Sequence, residues 1–183
     1  SNDTIGKVNV DTGSEEIIYK IANTNEYGPG CGTVSFCDTE DKIIFIHGPF
    51  NSTEKRRYEF WRRAGAVVNS QGEFYLIDAR DVTFPFTKGA LRGGTHCHEW
   101  SSDGQWVSFT YNDAIMAEIE SKTGKNVNLR TVGISRPYGY LEVDEHPENH
   151  DGKWFSALVV EVVPNPQVGT DQISRACNNG WIG

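Results

Sequence analysis

The sequence predicts an all-β chain, a β-propeller of which about three blades of four antiparallel strands each are present. Three observations lead there. The stretch "DGQWVSFTY" from Asp103 returns as "DGKWFSALV" from Asp151, an offset of 48 residues (151 − 103 = 48), close to the blade length of propeller repeats. A third copy, "TVSFCDTEDKIIFIHG" from Thr33, fits when Phe36 stands for Trp100 and Ile43 for Trp106, its turn then one residue longer. Finally, Gly, Asn and Asp turns punctuate β-branched and aromatic runs throughout, with units recurring at roughly 45 to 60 residues.

Taken along the chain, "GKVNV" and "EEIIYKI" flank the turn "DTG" between Gly6 and Ile21 and read as the outer hairpin of a preceding blade, residues 1–27. Residues 28–90 form the next blade: the hairpin from Thr33, then "EFYLIDARDV" after the turn "NSQG". Residues 91–138 hold the strand "GGTHCHEW", the "SSDG" turn, "QWVSFTY" and "NLRTVGIS"; residues 139–183 repeat the Asp-Gly turn and its strand. Within "NDAIMAEIESKTGK", Ile115, Met116 and Ile119 stand at helical spacing, so that stretch is either a helical turn or a strand. The competing architecture is an antiparallel sandwich. Propellers need four to eight blades to close. These residues are therefore expected to belong to a longer polypeptide, or two copies would close a ring of about six blades as a homodimer.

Composition narrows the partners. The 183 residues are 37% apolar, enough for a packed core, and carry a formal charge of −8. Such a field repels polyanions, so nucleic acid is a poor partner. No run of 18 apolar residues exists to span a membrane. Four cysteines without C-x-x-C spacing leave the redox compartment undecided. The chain opens on Ser1 and Asn2 rather than methionine, so its natural start is expected to be missing and any signal peptide with it; localisation is left unknown, with the periplasm favoured over the cytoplasm.

The repeat supplies an internal control for function. Val34 and Gly32 stand opposite His98 and His96, so the scaffold itself needs no histidine there. At i and i+2 of a strand the two imidazoles would share one face and converge on an ion or anion. At the 48-residue offset, His146 falls opposite His98, offering a third metal ligand, with Asp144 opposite His96. The competing reading is a hydrogen-bonded polar patch. Cys97, between the histidines, would point to the opposite face as a buried thiol, and His47 and His150 would sit at the rim. Arg62 and Arg63 in "EKRRYEFWRRAG", and Arg92 before the histidine strand, are forks suited to carboxylates or phosphates. A solvated edge balanced by Glu54 and Glu59 is the alternative for the first pair. Trp100, Trp106, Trp154 and Phe109 recur at repeat positions and read as core; Asp81 and Asp113 are general-base candidates with no nucleophile beside them.

"WSSDGQWVSF" resembles the TolB-type propeller repeat, with Ser102 where that repeat carries proline. "YGPGCGTVSF", "DARDVTFPFTKGALRGGTHCHEWSSDGQWVSFTYND" and "HPENHDGKWFSALV" resemble the bacterial YidR-like family of unknown function. That likeness implies a six-bladed TolB-like propeller when complete and no established activity. His96 and His98 also resemble the His-x-His pair of the oligogalacturonate lyase family, in which a Gln and three His hold manganese. Gly93 stands where that family carries the Gln.

Function is accordingly expected to be binding without catalysis, with Arg92, His96, His98, Arg62 and Arg63 receiving a small acidic or carbohydrate ligand or a protein partner. One alternative is a metal-dependent lyase or hydrolase acting on acidic oligosaccharides, with Mn or Zn held by His96, His98 and His146 and neutralising the substrate carboxylate. Another is a structural platform for protein–protein interaction.

Overall fold

The structure, a computed structural model, describes residues 3–22, 24–28, 30–50 and 52–182. Strands β1 (Thr4–Val8) and β2 (Glu15–Lys20) form an antiparallel hairpin around the predicted turn. A four-stranded antiparallel sheet follows, in chain order: β3 (Cys31–Phe36), β4 (Lys42–His47), β5 (Ala64–Asn69) and β6 (Phe74–Leu76). The second sheet has the same topology: β7 (Gly93–Trp100), β8 (Val107–Asp113), β9 (Thr131–Leu141) and β10 (Gly152–Leu158). The described residues are thus mostly β, in two antiparallel sheets of four strands and a hairpin.

One helix interrupts the second sheet. The segment open to either reading forms α1 (Ala114–Thr123), because its ends are written into the sequence. Asp113 caps the N-terminus by accepting from the amides of Ile115 and Met116, and Gly124 closes the other end at φ 68°, a left-handed conformation that glycine adopts without penalty.

The first sheet is the middle layer. Alternation along β4 sends Ile43 and Phe45 one way and Ile44 the other. Ile43 and Phe45 pack with Ala66 and Val68 against Ile5 of the hairpin. Ile44 joins Val67 and Ile77 against Val107, Trp100 and Trp154 of the second sheet. The two indoles meet edge to face at 5.8 Å, and the Trp100 Nε1–H donates across the layers to the carbonyl of Ser35 at 3.3 Å.

Between the sheets runs the segment Ile77–Asp81, each of its five residues no more than 2% exposed. The Asp78 carboxylate accepts the Gly65 amide of the first sheet at 2.8 Å and the Thr95 hydroxyl of the second at 3.1 Å. The Ile77 carbonyl accepts the amide of Trp154, and Arg80 exchanges backbone hydrogen bonds with His150. Gly152 lies so close that a Cβ there would stand 2.2 Å from the amide nitrogen of Ala79.

The repeat is real, but its period differs from the expected one. Phe36↔Ile43, Ser35↔Ile44 and Gly32↔Ile46 recur as Trp100↔Val107, Glu99↔Ser108 and His96↔Thr110, each 64 residues on (100 − 36 = 64). The two turns are equally long, so Ile43 matches Val107, not Trp106. Both β3 and β7 carry a bulge at the same place, with Thr33 at φ 55° and Cys97 at φ 53°. The Asp151 copy does not open a further sheet: β10 is the outer strand of the second sheet, and the expected boundary at 138/139 falls inside β9. An Asp-Gly turn feeding an aromatic strand is a local signal, which the second and fourth strands of one sheet carry equally well.

Trp154→Ala should cost about 3–5 kcal/mol, the usual penalty for removing a buried indole, whereas Phe84→Ala, at a side chain 87% exposed, should stay within about 0.5 kcal/mol. Urea melts of the two variants test the placement of the layer junction; equal effects would contradict it.

Candidate functional site

The bulge in β7 undoes the expected histidine pair. It inserts a residue into the alternation, so Thr95, His98 and Trp100 share the face toward the first sheet while His96 turns to the other. His98 is 1% exposed, and its Nε2 lies 3.0 Å from the Thr95 hydroxyl, which in turn donates to Asp78. His96 sits across from Thr110 and hydrogen-bonds its hydroxyl. Cys97 is exposed rather than buried for the same reason. His146 is exposed in the β9–β10 connection, its Nδ1 accepting the amide of Glu148. The three proposed metal ligands therefore do not assemble. Among the described residues, no group of three or more His, Cys, Asp or Glu is arranged to hold a metal ion.

The arginines are likewise distributed. Arg92 is taken by Asp113, with its Nη2 2.5 Å and Nε 2.9 Å from Oδ2, and lies over the Phe86 ring. Arg63 donates to the Tyr58 hydroxyl at 2.5 Å and borders a shallow depression with Gly32 and Thr33 of β3. Asp113 is occupied as a helix cap and ion-pair partner, and the Asp81 carboxylate is saturated by Thr83, Thr87 and Asn149. Neither aspartate is free to act as a base.

Arg62 stands in a different setting. A cavity of about 240 Å³ opens where the β4–β5 connection, the segment after β6 and the β9–β10 connection meet, and it is lined by Arg56, Arg62, Arg80, His150, Asn149 and Phe50 among others. One carboxylate, Glu148, faces these guanidiniums: Arg56 Nε at 3.1 Å, Arg62 Nε at 3.1 and 3.0 Å. Each arginine is also tied to a backbone carbonyl through Nη1: Arg56 to Phe50, Arg62 to Arg57, Arg80 to Trp61. Arg80 adds a bond from Nε to the Glu148 carbonyl at 2.7 Å. Every guanidinium is thus fixed by Nε and Nη1, and among the described residues none has a partner for Nη2.

Charge in the cavity is unbalanced, three cations against one anion. Burial pulls the pKa of Arg80 down to about 10, and the neighbouring Arg56 and Arg62 push the same way against the pull of Glu148 and of Asp78 behind it, yet it remains charged at neutral pH. Burial raises Glu148, but the hydrogen bond from Arg62 and the charges of Arg56, Arg62 and Arg80 outweigh that and hold it below the ordinary carboxylate range. Arg56, Arg80 and Glu148 were not singled out by sequence. Arg56 lies in the same basic stretch as Arg62, but nothing local marks Arg80 in "DARD" or Glu148 as companions, Glu148 lying 68 residues beyond Arg80 and 92 beyond Arg56.

A second cleft adjoins the first across Gly48–Phe50. It is lined by Tyr19, His47, Phe50 and Phe74, and His47 stacks on Phe50 at 4.3 Å while bonding the Tyr19 hydroxyl at 2.9 Å.

Four of the buried or half-buried imidazoles are held neutral. Burial pushes His98 down to about 3 and His96 to about 4, the latter helped by Arg130 and Arg63; His47 and His150 are also lowered. An unfolded histidine titrates near 6.5, so below that pH the unfolded chain binds protons that the folded chain refuses. Stability is then present above pH 6.5 and lost as pH falls, by about 1.4 kcal/mol per pH unit for His98 alone. Asp78, which burial raises to about 6, works oppositely and offsets part of the loss between about pH 4 and 6. Chemical denaturation from pH 7.5 to 5 should show this decline, and His98→Gln should flatten its slope; a stability independent of pH across that range would contradict the burial assigned to these rings.

Over residues 30–150 the chain matches a family model described as "Protein of unknown function (DUF3748)". It is 40% identical over 184 residues to the "Uncharacterized protein YidR" of Escherichia coli strain K12, a match that covers 100% of this chain and 42% of that protein. The chain therefore spans less than half the length of this relative. No solved structure matches it. Arg56, Arg62, Arg80 and Glu148 all lie within the matched stretch, as do both bulged strands, and the chain belongs to the DUF3748 family of proteins of unknown function.

Proposed function

We propose that the two four-stranded sheets are neighbouring blades of a β-propeller and that the chain is a binding module for a small acidic ligand, held in the arginine cavity. The propeller reading is supported by the order of contacts between the sheets. The first three strands of one sheet pack on the first strand of the next, and the fourth strand on the fourth. It is supported too by the bulge that recurs 64 residues apart (97 − 33 = 64) in the leading strand of each sheet. Fold alone says nothing of activity.

The observation that carries the binding role is the set of three immobilised guanidiniums with unused Nη2 groups. Forks fixed in advance lose little freedom when they meet a carboxylate, and their shared repulsion is relieved by an incoming anion. At about 240 Å³ the cavity is smaller than the roughly 300–1,000 Å³ usual for drug-sized ligands, so it suits a small oxyanion group rather than an extended chain.

Acetate, titrated against chloride at matched ionic strength, is the simplest probe. It should raise the melting temperature of the protein in proportion to the logarithm of its concentration above Kd, by the equivalent of about 2.7 kcal/mol at a hundredfold excess. Arg62→Ala should abolish the effect and Arg57→Ala, at an exposed side chain paired with Glu54, should leave it intact. A shift that survives Arg62→Ala, or no shift at all, would sink the reading.

A further inference from the structure

One side chain lining the cavity carries an acceptor atom left without a partner among the described residues. His150 lines it beside Arg56, Arg62 and Arg80, and its Nε2 lies 3.1 Å from the carbonyl oxygen of Asp78. A carbonyl can only accept, so Nε2 carries the proton and donates it. Burial, assisted by the charge of Arg80, holds the ring well below the usual histidine pKa, which keeps it neutral and leaves Nδ1 as a bare lone pair. Among the described residues Nδ1 has no hydrogen-bond partner.

A simple carboxylate would satisfy the arginines and leave that lone pair facing another acceptor. Repulsion between the two would weaken the complex. A ligand that brings a hydroxyl next to its carboxylate removes the conflict, because the hydroxyl donates to Nδ1 while the carboxylate oxygens accept from the three Nη2 groups.

We infer that the cavity is built for a hydroxycarboxylate, a short hydroxy acid or the acid end of a sugar acid, with His150 Nδ1 as the acceptor that selects the hydroxyl. This rests on the anion-binding reading and adds to it a specificity-determining residue. His150 touches the ligand without taking part in any bond-making step. The cavity size agrees: about 240 Å³ accommodates a short hydroxy acid or the acid end of a sugar acid.

The test compares glycolate with acetate, and lactate with propionate, by calorimetric titration of the unaltered protein. Each hydroxy acid should bind about tenfold more tightly than its deoxy partner, the order of difference that one hydrogen bond makes. His150→Ala should bring the ratio close to one while Arg62→Ala abolishes binding of all four. Because His150→Ala could unfold the chain, imidazole nitrogen NMR of the unaltered protein provides an independent readout: Nδ1 of His150 should resonate as an unprotonated nitrogen and shift with glycolate but not with acetate. Equal affinities within each pair would overturn the inference and leave anion binding standing. Binding of none of the four acids would remove both. Tighter binding of inorganic phosphate than of glycolate would reassign the hydroxyl donor to a phosphate and overturn the carboxylate class.

Discussion

The buried segment Ile77–Asp81 is the constraint on which the remaining architecture depends. Five consecutive residues without solvent must find all their polar partners inside the protein. They do so by bonding to both sheets at once: Asp78 to Gly65 and Thr95, Ile77 to Trp154, Arg80 to His150. These bonds fix the separation and rotation of the layers more tightly than apolar contact alone, which is indifferent to direction. They also explain why Gly152 admits no side chain, since the backbone of the segment occupies the space. A buried, doubly bonded carboxylate is a high-stakes element, costly if either partner is lost.

The same segment delivers Arg80 into the cavity and presents the Asp78 carbonyl that sets the His150 tautomer. Structural and candidate functional roles are therefore not separable along these five residues. The strain they absorb is electrostatic. Three guanidiniums gathered near one carboxylate, Glu148, repel one another, and this local surplus of positive charge stands in a chain whose net charge is −8.

Much of the strand pattern was legible because alternation, turn residues and helix caps are local signals. The β1–β2 hairpin, the turn at Ser101–Trp106 and the run of β4 follow from neighbours in sequence. The failures are of one kind. Two-residue periodicity places His96 and His98 on one face only if the strand is regular, and a residue at φ 53° between them breaks the count. No side chain announces a bulge at a cysteine. Similarly, the Asp-Gly-Lys-Trp copy looks like a new sheet because the turn and strand are shared features, while the pairing partner of that strand is set by long-range contacts. The cavity was half seen: Arg62 was marked by its basic, aromatic neighbourhood, whereas Arg80, Glu148 and His150 reach it only through tertiary structure.

The repeated bulge has a further effect on the leading strands, each of which has one side unpaired within these sheets. A straight row of free amides and carbonyls invites a strand from another molecule to zip alongside. Thr33 and Cys97 each break that row in the middle, and the twist they add turns the two halves out of a common line. At Cys97 the row is further engaged, with the Cys97 and Glu99 carbonyls accepting from Asn179 and Trp181 of the C-terminal segment. The irregularity that scattered the histidines thus guards these edges against indiscriminate growth into aggregates, by geometry and with no charged sentinel required.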